Sequence, residues 1–161
     1  PMLRRARRKP PCRLAERLEF RRGDATDLPL PDESFDVATN AFGLRNVADI
    51  SAAWAEMRRV LRPGGRAYVL DLARPEVPAF RELFHLYFHH ALPWVARLVH
   101  SRQAPYLYLV ESLRSFPSTS ELEAIAESAG MADVESRLLC GGVATIVSAS
   151  VPTDAFGPVS N

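Results

Sequence analysis

The 161-residue chain has only two cysteines, Cys12 and Cys140, set far apart. Neither belongs to a paired spacing, so no thiol framework for a metal or redox centre is offered, and two isolated thiols fit a reducing cytoplasm. Long apolar runs are also missing: no stretch approaches the length needed to span a bilayer. The Arg-rich start is not followed by an apolar h-region, so no secretory signal is expected. Repeats and low-complexity segments are absent. Before Phe20 there is no aromatic residue among the arginines, although residues 1–22 carry nine Lys/Arg against Glu16 and Glu19. That arm has a net charge of +7 and the rest of the chain −6. A basic arm can grip nucleic acid, but without rings to stack on bases it reads as a solvated helix, and no nucleic-acid partner is expected.

What is present is a hydrophobic content of 47%, enough for one globular domain or a large piece of one. The first residue is Pro1 rather than Met, which leads to the expectation of a piece. The organising stretch is Ser34–Asp71. Phe35–Thr39 alternates into a buried strand, and Asn40–Asn46 is a loop at its end. Trp54, Met57, Val60 and Leu61 share one face of a helix over about Ile50–Leu61. Arg62-Pro-Gly-Gly65 stops that helix, and Ala67–Leu70 is the next strand, short and apolar as a parallel strand should be. The result is a right-handed strand–helix–strand crossover, whose functional loops follow Thr39 and Leu70.

Around this unit, Met2–Lys9 reads as a helix end broken by Pro10-Pro11, Leu14–Leu18 as a helical turn and Leu18–Phe20 as a short strand. Leu28–Glu33 is a proline-rich loop, and Arg74–Pro78 is a rigid exit. Ala79–His100 is helical, with an aromatic stripe through Phe80, Phe84, Tyr87 and Phe88 and a break at Pro93; Tyr106–Phe116 is another helix. Ser120 and Glu123 form a capping box for a helix that closes at Ala129-Gly130. Val134–Leu139 and Val143–Val151 are the last strands, joined across Gly141-Gly142, and residues 152–161 are expected to be a disordered tail behind a domain over 1–151.

Several residues could carry chemistry. Asp24, after a strand and before the small Ala25, could accept from an exocyclic amine; equally, it could bond its own turn. Arg45 and Asn46 could polarise a substrate oxygen, or the arginine could be merely solvated. His85 and His89 stand one helical turn apart, but no acid lies between them and their neighbours are apolar, so packing is the better reading. Tyr106, Tyr108 and Glu111 could present hydroxyls and a carboxylate to a phenol, or simply bury their rings.

Together, GDATDLPLPDESFDVAT, AFGLRNVADI, EMRRVLRPGGRAYVLD, YLYLVESLRSFP and LCGGVA resemble the ubiquinone/menaquinone biosynthesis C-methyltransferases. VLRPGG alone is common to many class I methyltransferases; FGLRNV with YLYLVES and FP at this spacing is specific. The resemblance implies an α/β, Rossmann-like class I methyltransferase sheet that uses S-adenosyl-L-methionine to methylate a ring carbon of a prenylated hydroquinone. It implies adenine contacts at Asp24 and Ala25 and a cofactor-lining turn at Asn40 and Ala41. Here Ala41 stands in place of a small polar residue, and Val147 in place of a frequent His. Arg45 and Asn46 would steady the developing oxyanion, while Tyr106, Tyr108 and Glu111 would orient or deprotonate the phenol. The helix over Phe80–Trp94 would cover the substrate and its prenyl tail.

The family also carries a Gly-rich loop and a ribose-binding acid ahead of the stretch that Met2 begins. The chain is thus expected to be N-terminally incomplete, to lack the first two strands, and to be inactive alone. Phe35–Thr39 would then be an edge and Leu18–Phe20 would lose its neighbour. The resemblance admits a cytoplasmic protein with peripheral membrane contact, a homodimer or a quinone-synthesis complex. A catalytically dead scaffold of such a complex is the alternative reading.

Overall fold

The computed structural model describes residues 18–73, Ser112 and residues 116–153. Four strands form one sheet: β1 (Phe35–Ala41), β2 (Leu61–Leu72), β3 (Ala132–Leu139) and β4 (Ala144–Ser150), in the spatial order β1-β2-β4-β3. Helix α1 (Ile50–Val60) joins β1 to β2, and α2 (Thr119–Ser128) precedes β3. The first two strands are parallel, and β4 runs antiparallel to both of its neighbours.

Helix α1 forms where the apolar spacing places it. Asp49 caps it by accepting from the Ala52 N–H at 2.9 Å, and Ala53, Trp54, Met57 and Val60 are buried. Leu61 then turns extended and the chain enters β2 directly. Pairing jumps from Phe35 opposite Leu61 to Val37 opposite Arg66, so Arg62-Pro-Gly-Gly65 is a bulge within β2 rather than a turn ahead of it. Both glycines are required there. Gly64 has φ +76, and a Cβ on Gly65 would stand 2.8 Å from the Arg62 carbonyl oxygen. The bulge is stitched to the chain after β4, because Gly64 N–H donates to Val151 O and Val151 N–H to Gly65 O, each at 2.9 Å.

Register decides which face is the core. Ala67, Val69 and Asp71 on β2 lie opposite Ala149, Val147 and Thr145 on β4, and all six are buried. Trp54 and Met57 of α1 and Leu122 and Ala126 of α2 pack in the same core. Arg58 ties the helices together by donating through Nε to Gly130 O at 3.1 Å, and Gly130, at φ +82, leaves room for it.

The fold departs from the sequence reading at Leu18–Phe20, in β1 and at the start of α2. Leu18–Phe20 forms no strand and lies exposed, since a three-residue segment needs a ladder partner and this sheet supplies none. β1 is the edge that the resemblance implied, and for that reason it is not buried: Phe35 and Val37 stay exposed, and the strand runs on to Ala41. The capping box lies two residues earlier than Ser120 and Glu123. Ser118 accepts from Glu121 N–H at 3.3 Å while the Glu121 carboxylate accepts from Ser118 N–H at 2.7 Å. Both registers spell S-x-x-E; the earlier one wins because it sends Thr119, Leu122 and Ala126 into the core. The closure at Ala129-Gly130 and the glycine turn between the last strands stand as expected, with Gly141 at φ 69 and Gly142 at φ 94.

Outside the described residues lie the basic arm through residue 17, the exit at 74–78, the aromatic helix, the four histidines, most of the helix at 106–116, and residues 154–161. Tyr106, Tyr108 and Glu111 are among them. Among the described residues, no helix is long and apolar enough to cross a membrane.

Candidate functional site

Because β1 and β2 are parallel, their C-terminal ends open on one side, where α/β sheets hold ligands. The chain leaves β1 through a tightly bonded turn. Phe42 N–H donates to Leu70 O at 2.8 Å, Gly43 N–H to Asn40 Oδ1 at 3.2 Å, and Asn46 Nδ2 to Phe42 O at 3.4 Å. Leu44–Asn46 is a single 3₁₀ turn anchored by buried Leu44.

Arg45 is turned inward. Its N–H donates to Asp71 Oδ2 at 3.2 Å and its Nη1 to Asp71 Oδ1 at 2.7 Å, while Leu72 N–H also donates to Oδ1 at 2.8 Å. Asp71 is fully buried, so it clamps the turn after β1 to the end of β2 at both main chain and side chain. The Arg45 guanidinium carbon lies 5.9 Å from the Phe42 ring centroid, within the reach of about 6 Å for a cation–π contact. Two buried polar atoms here have no partner: Arg45 Nε, and Oγ1 of Thr145, the residue opposite Asp71 on β4.

The sequence reading aimed Arg45 at a substrate oxygen and did not single out Asp71. The signal was present: an acid directly after the apolar run Ala67–Leu70, on a face that must be buried, needs a cationic partner.

On the outer side of β1, Ala25, Leu28 and Leu30 of the proline-rich loop, Ala38 and Asn40 of β1, and Ala53 and Met57 of α1 line a cavity of about 250 Å³. The loop is held by the last turns of α1. Arg59 donates to Leu28 O and Leu30 O, each at 2.9 Å, and to Asp32; Glu56 accepts from Leu28 N–H at 2.7 Å and from Arg59 at 2.8 Å. The Arg59 guanidinium holds the Glu56 carboxyl down at about 2, and this clip raises Arg59 in turn. Next to the cavity, Asp24 Oδ1 accepts from the Thr26 N–H at 3.0 Å and its hydroxyl at 2.8 Å; these bonds lower its pKa. The turn-forming reading of Asp24 therefore holds for that oxygen. Ala25 and Asn40 meet at the cavity. Ala41 pairs with Leu70 and is exposed, Arg45 belongs to the Asp71 clamp, and Asn46 to the turn.

Residues 1–150 match the ubiE/COQ5 methyltransferase family. The chain belongs to that family. It is 42% identical over 130 residues to a demethylmenaquinone methyltransferase of Corynebacterium kroppenstedtii, which covers 81% of this chain and 57% of the relative. It is 44% identical over 136 residues to a ubiquinone/menaquinone biosynthesis C-methyltransferase of Methylobacterium nodulans, covering 84% of this chain and 54% of the relative. The chain thus spans somewhat over half the length of these curated relatives. Among solved structures, a SAM-dependent methyltransferase of Thermotoga maritima superposes with a TM-score of 0.57 at 21% identity, covering 85% of this chain and 67% of that one. That likeness establishes the methyltransferase fold.

Within this ubiE/COQ5 member, the cavity is mainly apolar, with Thr39 and Asn40 as the polar residues of its lining. Its volume is below the roughly 300–1,000 Å³ of pockets that enclose whole drug-sized ligands, and no charged side chain lines it. The described residues therefore fit part of S-adenosyl-L-methionine.

Proposed function

We propose that the protein to which this chain belongs methylates a ring carbon of a prenylated hydroquinone, with S-adenosyl-L-methionine as donor. The observation that carries the reading is the turn between β1 and α1: Asp71 holds Arg45, and Asn40, Phe42 and Asn46 are bonded within that turn and to β2, beside a cavity that Ala25 and Asn40 line. The family membership and the names of its relatives set the reaction class. When bound, the cofactor supplies an electrophilic methyl group on a sulfonium.

In this reading Asp24 Oδ2 accepts from an adenine amine while Ala25 leaves space for the ring, and Asn40 lines the same ligand. Asp71 fixes Arg45, so the guanidinium meets a ring oxygen without reorganising as negative charge develops there. Nη2 is the corner left for this, because Nη1 is bonded to Asp71 and Nε is buried. Asn46 adds a second polar group, and Tyr106, Tyr108 and Glu111 remain the candidates to orient or deprotonate the phenol. The acceptor's prenyl tail brings the protein to a membrane surface, with the aromatic stretch at 80–94 as the candidate segment to meet it.

The test is to incubate the protein encoded by the complete reading frame with demethylmenaquinol and methyl-labelled S-adenosyl-L-methionine. Mass spectrometry should find the label on the ring, and label confined to an oxygen, or none transferred, sinks the reading. The 161-residue chain alone is expected to bind the cofactor only weakly, since the described contacts serve its adenine side. Micromolar affinity by isothermal titration would contradict that.

A further inference from the structure

Four non-glycine residues among those described have positive φ: Glu33, Phe42, Asp133 and Cys140. Glu33 lies in a turn, Cys140 in the glycine turn before β4, and Asp133 at the irregular start of β3, where it accepts from Ser150 at 2.6 Å. Phe42 is different. It is bulky, and at φ 54 its Cβ crowds the backbone in a way that glycine avoids and asparagine suffers less. Strain of this kind is ordinarily offset by burying the side chain, yet Phe42 is 46% exposed. The hydrogen bonds to Leu70 and from Asn46 use only its main chain, so they would serve any residue at this place. The ring faces the Arg45 guanidinium, whose carbon lies 5.9 Å from its centroid.

A fixed aromatic plate, held in a disfavoured conformation just past the end of β1 with a guanidinium 5.9 Å from its centroid, is suited to stacking. The cation draws on the ring's π electrons, which favours stacking of an electron-rich ring such as a phenol or hydroquinol, whose oxygen can lie toward Arg45 at the plate's rim. Arg45 is itself fixed by Asp71, so the plate is pre-set before any ligand arrives. We propose that Phe42 is the platform on which the aromatic ring of the methyl acceptor stacks, and that it selects flat, electron-rich rings. The proposal rests on the methyl-transfer reading for its acceptor, and its test does not.

The test measures 1-naphthol binding to the 161-residue chain by NMR titration, alongside melting temperature, for the parent and for Phe42→Gly, Phe42→Asn and Phe42→Trp. Phe42→Gly and Phe42→Asn relieve the backbone and remove the ring. They should melt no lower than the parent yet bind naphthol about three- to tenfold more weakly, the range an aromatic pair is worth. Phe42→Trp should retain binding. A parent that does not bind naphthol at millimolar concentration, or glycine and asparagine variants that bind it equally well, overturns the proposal. So does a fall in melting temperature in both relieved variants, because the ring would then be ordinary packing. If naphthol binding depends on Phe42 while the complete protein transfers no methyl group, the platform stands and the methyl-transfer reading falls.

Discussion

Arg45, just ahead of helix α1, and Arg59, in its last turn, do the same chemistry in different surroundings. Each joins a carboxylate and main-chain groups, and each pins a loop beside the candidate site. Arg45 meets an acid with 0% side-chain exposure and is itself 15% exposed; Arg59 is 31% exposed, and its acids Glu56 and Asp32 are 16% and 72% exposed. Water can replace a lost partner at Arg59 but not at Asp71. The first pair therefore makes the turn over the strand ends all-or-none, whereas the second trims the position of a loop. Arg62 with Asp36, at 53% and 80% exposure, extends the series to the open surface.

The largest effect is expected from Arg45→Ala. It leaves Asp71 buried without its cationic partner, with only the main-chain N–H groups of residues 45 and 72 as donors, and should cost about 3–5 kcal/mol in denaturant unfolding. The double variant Arg45→Ala with Asp71→Ala should recover part of that loss, since no buried charge is then stranded. A cost below about 1 kcal/mol, the level of a surface pair, would remove the distinction between the two arginines.

Glu56→Gln should cost about 1 kcal/mol, the net worth of a typical hydrogen bond. Hydrogen exchange should show faster opening at Leu28 and Leu30 and no change at Arg45 or Asn46. A spread of the effect to the 42–46 turn would mean that the two arginines form one unit.

The same clip fixes a pH dependence. The Glu56 carboxyl is held at about 2 against an ordinary 4.5, so its contribution is fully present above 4.5 and is lost as pH falls from there through about 2. The melting temperature of the parent should drop more steeply across that window than that of Glu56→Gln. Parallel curves would show that Glu56 does not carry the linkage. Asp36→Asn should be the smallest change, within about 0.5 kcal/mol at any salt concentration. A larger loss would show that the edge strand depends on its surface charges.

Much of this arrangement was legible in the chain before any coordinates. The period of Trp54, Met57 and Val60 placed α1, because helical spacing needs no distant partner to be read. Ala129-Gly130 and Gly141-Gly142 marked their turns, because only glycine takes those backbone angles without strain. The sequence reading put Arg45 in the loop after β1, where the structure has it, whereas Asn40 still belongs to β1 and the strand expected ahead of Asp24 does not form. What the tertiary structure alone decided are choices between partners far apart in sequence. Ser118 rather than Ser120 caps α2 because the core selects the phase of the helix, and β1 is exposed because a strand is buried only by its neighbours. Arg45 faces Asp71, 26 residues on, rather than solvent, and Arg59 reaches back 29 and 31 residues to Leu30 and Leu28. Local chemistry states which groups need a partner; only packing, by removing water from some of them, determines which partner each one takes.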